Sequence, residues 1–151
     1  MSQPIVLVIF SCQTGDTEKL ALSAAVGAVQ ARALIRLRRI PDVDADDNNE
    51  EVVRMRKEYV KPAEGDVVGA DALIIAASAD TNALSKPWQD ILSLLSRLGS
   101  EGKLGRKVGS SIGGLSTALE GLGFVTVPQP PSDPLALGRS VAEMARSLKS
   151  S

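Results

Sequence analysis

Apolar residues fall along this chain in two alternating patterns. The first is the short unbroken run: Ile5-Val6-Leu7-Val8-Ile9-Phe10 and Ala72-Leu73-Ile74-Ile75-Ala76-Ala77. Six apolar residues without a polar interruption match a strand buried on both faces, as in a parallel sheet. Shorter stretches at 33–37, 107–112 and 123–127 read as further strands. The second pattern has helical spacing. Over 16–31, Leu22, Val26 and Val29 recur at i, i+4 and i+7 with Ala21, Ala25 and Ala28 beside them, predicting a helix laid closely on the sheet. After Ser85 as N-cap and Pro87 in the first turn, Trp88, Ile91, Leu92, Leu95 and Leu98 share one face. That stripe makes Trp88 a core residue more readily than a ligand contact. A short helix is expected over 115–122. A last helix is capped by Ser132 or Asp133, with Pro134 in its first turn and Leu137, Val141, Ala145 and Leu148 facing inward.

Strands alternating with helices mean an α/β domain with a parallel sheet and right-handed crossovers. Residues 1–151 suit a single domain, and no repeat is visible. The least regular part is 41–66. Asp42, Asp44, Asp46, Asp47, Glu50 and Glu51 precede Arg54, Arg56 and Lys57. The expectation there is a solvated, mobile loop with one helical turn near Val52–Tyr59. The acidic run lacks the spacing of a calcium loop.

Composition narrows the function classes. The apolar fraction is 44%, yet Phe10, Tyr59, Trp88 and Phe124 are the only aromatics, so the core rests on Val, Leu, Ile and Ala. The net charge of −1 argues against a nucleic-acid surface, for which a basic excess is expected. One Cys and no His rule out an intrachain disulfide and disfavour a zinc site. No stretch has the length and hydropathy of a membrane span, and the start lacks a signal-peptide pattern, so the expectation is a cytoplasmic protein.

The chemistry concentrates in Ser11-Cys12-Gln13-Thr14-Gly15-Asp16-Thr17, between the first strand and the first helix. A strand, a hydroxyl- and glycine-containing turn and then a helix form a geometry that holds phosphate. The first-turn N–H groups are unsatisfied, and the helix dipole favours an anion. No Lys or Arg lies between Ser11 and Thr17, so the donors would be neutral.

The string Thr14-Gly15-Asp16-Thr17-Glu18-Lys19-Leu20-Ala21 resembles the phosphate loop of the flavodoxin family, Ser/Thr-x-Thr-Gly-x-Thr after the first strand. Thr14, Gly15 and Thr17 fall on its positions, while Cys12 stands where the family has Ser or Thr. The stretch Ser78-Ala79-Asp80-Thr81-Asn82, leading to Ala83-Leu84-Ser85, is similar in position to the second flavin-contacting loop of the flavodoxin-like quinone reductases of the tryptophan-repressor-binding-protein type, though only Ser85 is retained and the loop aromatic is missing. Ser111-Ile112-Gly113-Gly114 falls where the family has a Ser/Thr- and Gly-rich loop beside the flavin ring.

The resemblance implies a flavodoxin-like three-layer sandwich with a five-stranded parallel sheet in the order 2-1-3-4-5. In such sheets ligands bind outside the carboxyl ends of the strands, where strand order reverses. It further implies non-covalent FMN, with residues 11–17 on the phosphate and residues 78–82 and 111–114 flanking the ring. The activity implied is electron transfer or NAD(P)H-dependent quinone reduction, with NAD(P)H, a quinone or a protein as redox partner. No catalytic acid or base is required. The near-neutral charge favours the reductase, and the short Pro128–Pro131 connector, in place of a long insertion, favours the carrier. The alternative is a flavodoxin-like domain that has lost its flavin and serves as a binding or scaffold protein. Cys12, the missing loop aromatic and Asp80 motivate it, since a carboxylate near the ring disfavours an anionic reduced flavin. A receiver domain shares this strand order but needs carboxylates where Phe10 and Ser11 stand. A homo-oligomer is the default expectation for a soluble protein.

Overall fold

The structure, a computed structural model, describes residues 3–11, 16–40, 50–77, 86–113, 119, 121–128 and 130–150. Strands β1 (Ile5–Phe10), β2 (Leu34–Arg39), β3 (Ala72–Ala77), β4 (Val108–Gly113) and β5 (Val125–Thr126) form one sheet. All pairings are parallel and the order is β2-β1-β3-β4-β5, as expected. Five helices accompany it: α1 (Asp16–Gln30), α2 (Glu50–Glu58), α3 (Glu64–Gly69), α4 (Lys86–Ser100) and α5 (Pro134–Ser150).

The unbroken apolar runs became the central strands because both sheet faces are covered. From Val6 to Phe10 and from Ala72 to Ala77 no residue is more than 1% exposed. Alternation splits each strand between two cores. Val6, Val8, Phe10, Ala72, Ile74 and Ala76 pack under α1, α2 and α5. Leu7, Ile9, Leu73, Ile75 and Ala77 pack under α3 and α4, where Trp88, Ile91, Leu95 and Leu98 form the expected stripe. The last helix buries Leu137, Val141 and Ala145 as predicted. The Asp133 carboxylate caps it, accepting the Ala136 N–H at 3.2 Å.

The first helix departs from its expected face. Ala21, Ala24, Ala25 and Ala28 are buried, whereas Leu22, Val26 and Val29 are 38–52% exposed. The reason is the neighbour. α1 lies directly against α5, where a Cβ added at Gly138 would overlap the Ala24 carbonyl oxygen and one at Gly27 the Leu135 carbonyl oxygen. Backbones this close admit only Gly and Ala between them, so the larger side chains turn outward.

The 41–66 expectation is also corrected. Glu50–Glu58 is a full helix with Met55 completely buried, and Glu64–Gly69 is a second, short one. Met55 adds to the core under α1, and this packing outweighs the polar composition of the segment. Residues 41–49 lie outside the described residues, as do most of the helix expected over 115–122; Leu119 and Gly121 are in turns.

At the amino end of the sheet, the Asp71 carboxylate accepts the Ile5 N–H at 2.8 Å and pairs with Lys149 at 3.3 Å, tying β1 to the end of α5. Gly138→Ala is expected to destabilise the fold by about 2–3 kcal/mol through overpacking of α1 on α5. Thermal unfolding would read this as a Tm lowered by roughly 5–10 °C. A Tm within a degree of wild type would mean that the helices can separate at little cost.

Candidate functional site at the carboxyl ends of the strands

Three of the sheet's adjacent strands, β1, β3 and β4, end together. Phe10 lies beside Ala76, Ala77 lies beside Gly113, and the Ser11 N–H donates to the Ala76 carbonyl at 3.3 Å. The chain leaves β1 toward β2 on one side and β3 toward β4 on the other, so the strand order reverses here. Such a switch point is where an open parallel sheet leaves a crevice.

Of the residues expected at this site, Ser11 follows β1 directly, and Asp16 and Thr17 open α1. Thr17 is 3% exposed, set into the first turn of the helix. Ser111, Ile112 and Gly113 are the last residues of β4. The Ile112 side chain belongs to the core under α5, which leaves its backbone as the part turned to the site. Cys12, Gln13, Thr14, Gly15, Ser78, Ala79, Asp80, Thr81, Asn82 and Gly114 lie outside the described residues.

Side chains from other elements hold Ser11 at one end of the 11–17 segment and Glu18, the residue just beyond its other end. On one face of the sheet, the Trp88 indole N–H donates to the Ser11 hydroxyl oxygen at 3.0 Å. Trp88 is therefore the core residue that its stripe predicts, and its one polar atom reaches the site. A hydroxyl that accepts from Trp88 still has its own proton to donate.

On the other face stands a polar cluster around one buried carboxylate, which sequence reasoning missed. Glu18, in the first turn of α1, is 6% exposed. Its carboxylate accepts from Arg54 at 2.6 and 3.1 Å and from the Tyr59 hydroxyl at 2.7 Å. Arg54 also pairs with Glu58 at 2.7 Å. The Tyr59 ring meets the Phe10 ring edge-on, with centroids 4.9 Å apart. Arg39, the last residue of β2, is 3% exposed, and its N–H donates to the Val60 carbonyl at 2.9 Å. Nothing local in the sequence marks these residues. They lie 36 and 41 positions from Glu18 for Arg54 and Tyr59, inside a stretch that reads as loop.

The cluster keeps Glu18 ionised. The Arg54 hydrogen bonds lower its pKa below the ordinary 4.5 despite burial, and Tyr59 and the Arg39 charge act the same way. Tyr59 shifts the opposite way: burial, then its bond to the Glu18 carboxylate, raise it well above 10.0. A similar pair stands at the edge of the sheet. Burial opposes ionisation of Asp66, but the Arg38 guanidinium at 3.1 Å and the Ala63 N–H at 2.9 Å outweigh it and lower the pKa from 3.8. Among the described residues no group of His, Cys, Asp and Glu could hold a metal, and no helix is long and apolar enough to cross a membrane.

Neither a protein-family model nor a curated protein sequence matches the chain. Solved structures do. A flavodoxin from Streptococcus pneumoniae TIGR4 superposes with a TM-score of 0.62 at 15% identity, over 95% of this chain and 98% of that one. A flavodoxin from the domain Archaea gives 0.61 at 15% identity, over 94% and 99%. A WrbA-like protein from Agrobacterium tumefaciens gives 0.54 at 17% identity, over 95% and 98%.

The fold is flavodoxin-like. In each comparison the likeness extends over at least 94% of this chain and 98% of the other.

Glu18 and Asp66 hold protons less tightly in the folded chain than in the unfolded one, so acid favours unfolding. Their stabilisation is complete above the ordinary values of 4.5 and 3.8, and it is lost as pH falls through the lowered folded values. Urea midpoints are expected to fall between pH 7 and pH 3, and Glu18→Gln should shrink that fall. An unchanged fall in the variant would show that Glu18 contributes nothing to the acid sensitivity.

Proposed function

We propose that the chain is an FMN-binding redox protein that works in electron transfer or in NAD(P)H-dependent reduction of quinones. The observation that carries the reading is that the ends of β1, β3 and β4 meet at the switch point of a flavodoxin-like sheet, with Ser11 bonded to Ala76 there and α1 opening at Asp16. The donors present suit a phosphate. The Ser11 hydroxyl is oriented by Trp88, Thr17 sits in the first turn of α1, and the N–H groups of that turn open a 15-residue helix. Thr14 and the backbone of 13–17 would complete the set. The fold likeness to flavodoxins supports the same assignment.

In this reading the work of the protein is binding and orientation. Residues 11–17 would hold the phosphate, and residues 78–82 and 111–114 would flank the ring. The bound flavin would supply the hydride or electron chemistry. Its redox partner would be NAD(P)H, a quinone or another protein, approaching the open carboxyl end of the sheet. Neutral donors aimed at a phosphate act through geometry, so the separation and direction of the hydroxyls matter more than net charge.

The deciding test is the visible spectrum of the purified protein after addition of FMN and desalting. A retained flavin band is expected, with quenching of Trp88, the single tryptophan. A protein that stays colourless would favour a domain repurposed for binding partners. In the double variant Thr14→Ala with Thr17→Ala, the Kd for FMN should rise about a hundredfold, as two hydrogen bonds to a charged group are lost. An unchanged Kd would show that this segment is only a connecting turn.

A further inference from the structure

Tyr59 touches the two residues that flank the 11–17 segment, Phe10 and Glu18, and it comes from neither of the elements that the segment joins. Its ring packs on Phe10, the residue just before Ser11. Its hydroxyl donates to Glu18, the residue just after Thr17. It cannot shift easily. It directly follows α2, its own N–H donates to the Met55 carbonyl at 3.0 Å, and the next residue, Val60, accepts the N–H of Arg39. Met55 anchors α2 in the core, and Arg54 holds the same carboxylate as Tyr59 does. Phe10 and Glu18 are thus bridged by one aromatic side chain, half-buried on the face of the sheet opposite Trp88.

We propose that Tyr59 is a positioning residue for the phosphate end of the cofactor, holding the end of β1 and the first turn of α1 at the separation that neutral donors require. The inference rests on the FMN reading above. Its physical basis is that the segment contains no Lys or Arg. A cation attracts phosphate over several ångströms and tolerates misplacement, whereas a hydroxyl or N–H weakens steeply once distance or angle is wrong. A loop of neutral donors therefore depends on the residues that set its span. The Glu18 carboxylate is the second half of the device. Its charge would repel a phosphate, and Arg54, with Arg39 nearby, neutralises it while it anchors the tyrosine.

The test separates the phosphate end from the ring end of the ligand. Tyr59→Phe keeps the ring contact with Phe10 and deletes only the bond to Glu18. Affinities for FMN and for riboflavin, which lacks the phosphate, are measured by Trp88 quenching for wild type, Tyr59→Phe and Glu18→Gln. Thermal unfolding of the unliganded proteins serves as the check of folding. The expected result is that Tyr59→Phe weakens FMN roughly tenfold, leaves riboflavin unchanged and lets the FMN-to-riboflavin preference collapse accordingly. Glu18→Gln, which removes a negative charge but keeps an oxygen that accepts from Tyr59, should retain the preference. A purely structural role would lower both affinities in parallel or neither, and either result overturns the inference while the FMN reading stands. A wild-type protein that binds neither flavin overturns the FMN reading and this inference with it.

Discussion

A parallel sheet whose central strands are apolar on both faces must be covered on both faces, and most of this structure follows from that requirement. Strands β1 and β3 have no side suited to water, so their connections cross over as helices in two layers. Every crossover starts from the carboxyl end of a strand. The ends of β1, β3 and β4 therefore lie together at one end of the sheet. The price of tight coverage is visible in α1 and α5, which meet through Gly27, Gly138 and a row of alanines and leave no room for anything larger.

The same layering grips the Ser11–Thr17 segment from two directions. Trp88 arrives from the α4 layer and ends in the one polar atom of a buried aromatic, which meets Ser11. Tyr59 arrives from the α2 side and ends in a hydroxyl, which meets Glu18. Both residues keep the body of the ring in the core and extend a polar tip to the edge of the site, where an unpaired polar atom would be costly. Scarce aromatics thus do two jobs each. Packing sets where each polar tip lies.

The role of 50–60 is where local reading failed most clearly. Its charges suggest a solvated loop, and its mean composition offers little to bury. Met55 and Tyr59 are enough, because the sheet presents Phe10 and the alanine face of α1 for them to cover. Glu18, Arg54 and Tyr59 then satisfy each other. The exposed Leu22, Val26 and Val29 teach the converse lesson: periodicity finds an apolar side of a helix, but closeness of approach chooses which residues are admitted.

The sequence by itself determined the α/β class, the five strands and their parallel arrangement, and the stripes of α4 and α5. These depend on period and on unbroken apolar length, both of which are local quantities. It also placed a helix start shortly after the first strand, where glycine and hydroxyls are adjacent along the chain. Only the tertiary structure decided that alanines and not Leu22, Val26 and Val29 face the core, and that Trp88 bonds Ser11 and Tyr59 bonds Glu18. Those facts join residues 77 positions apart in one case and 41 in the other. A contact of that span is created by the packing of whole layers, and no local pattern in the chain carries it.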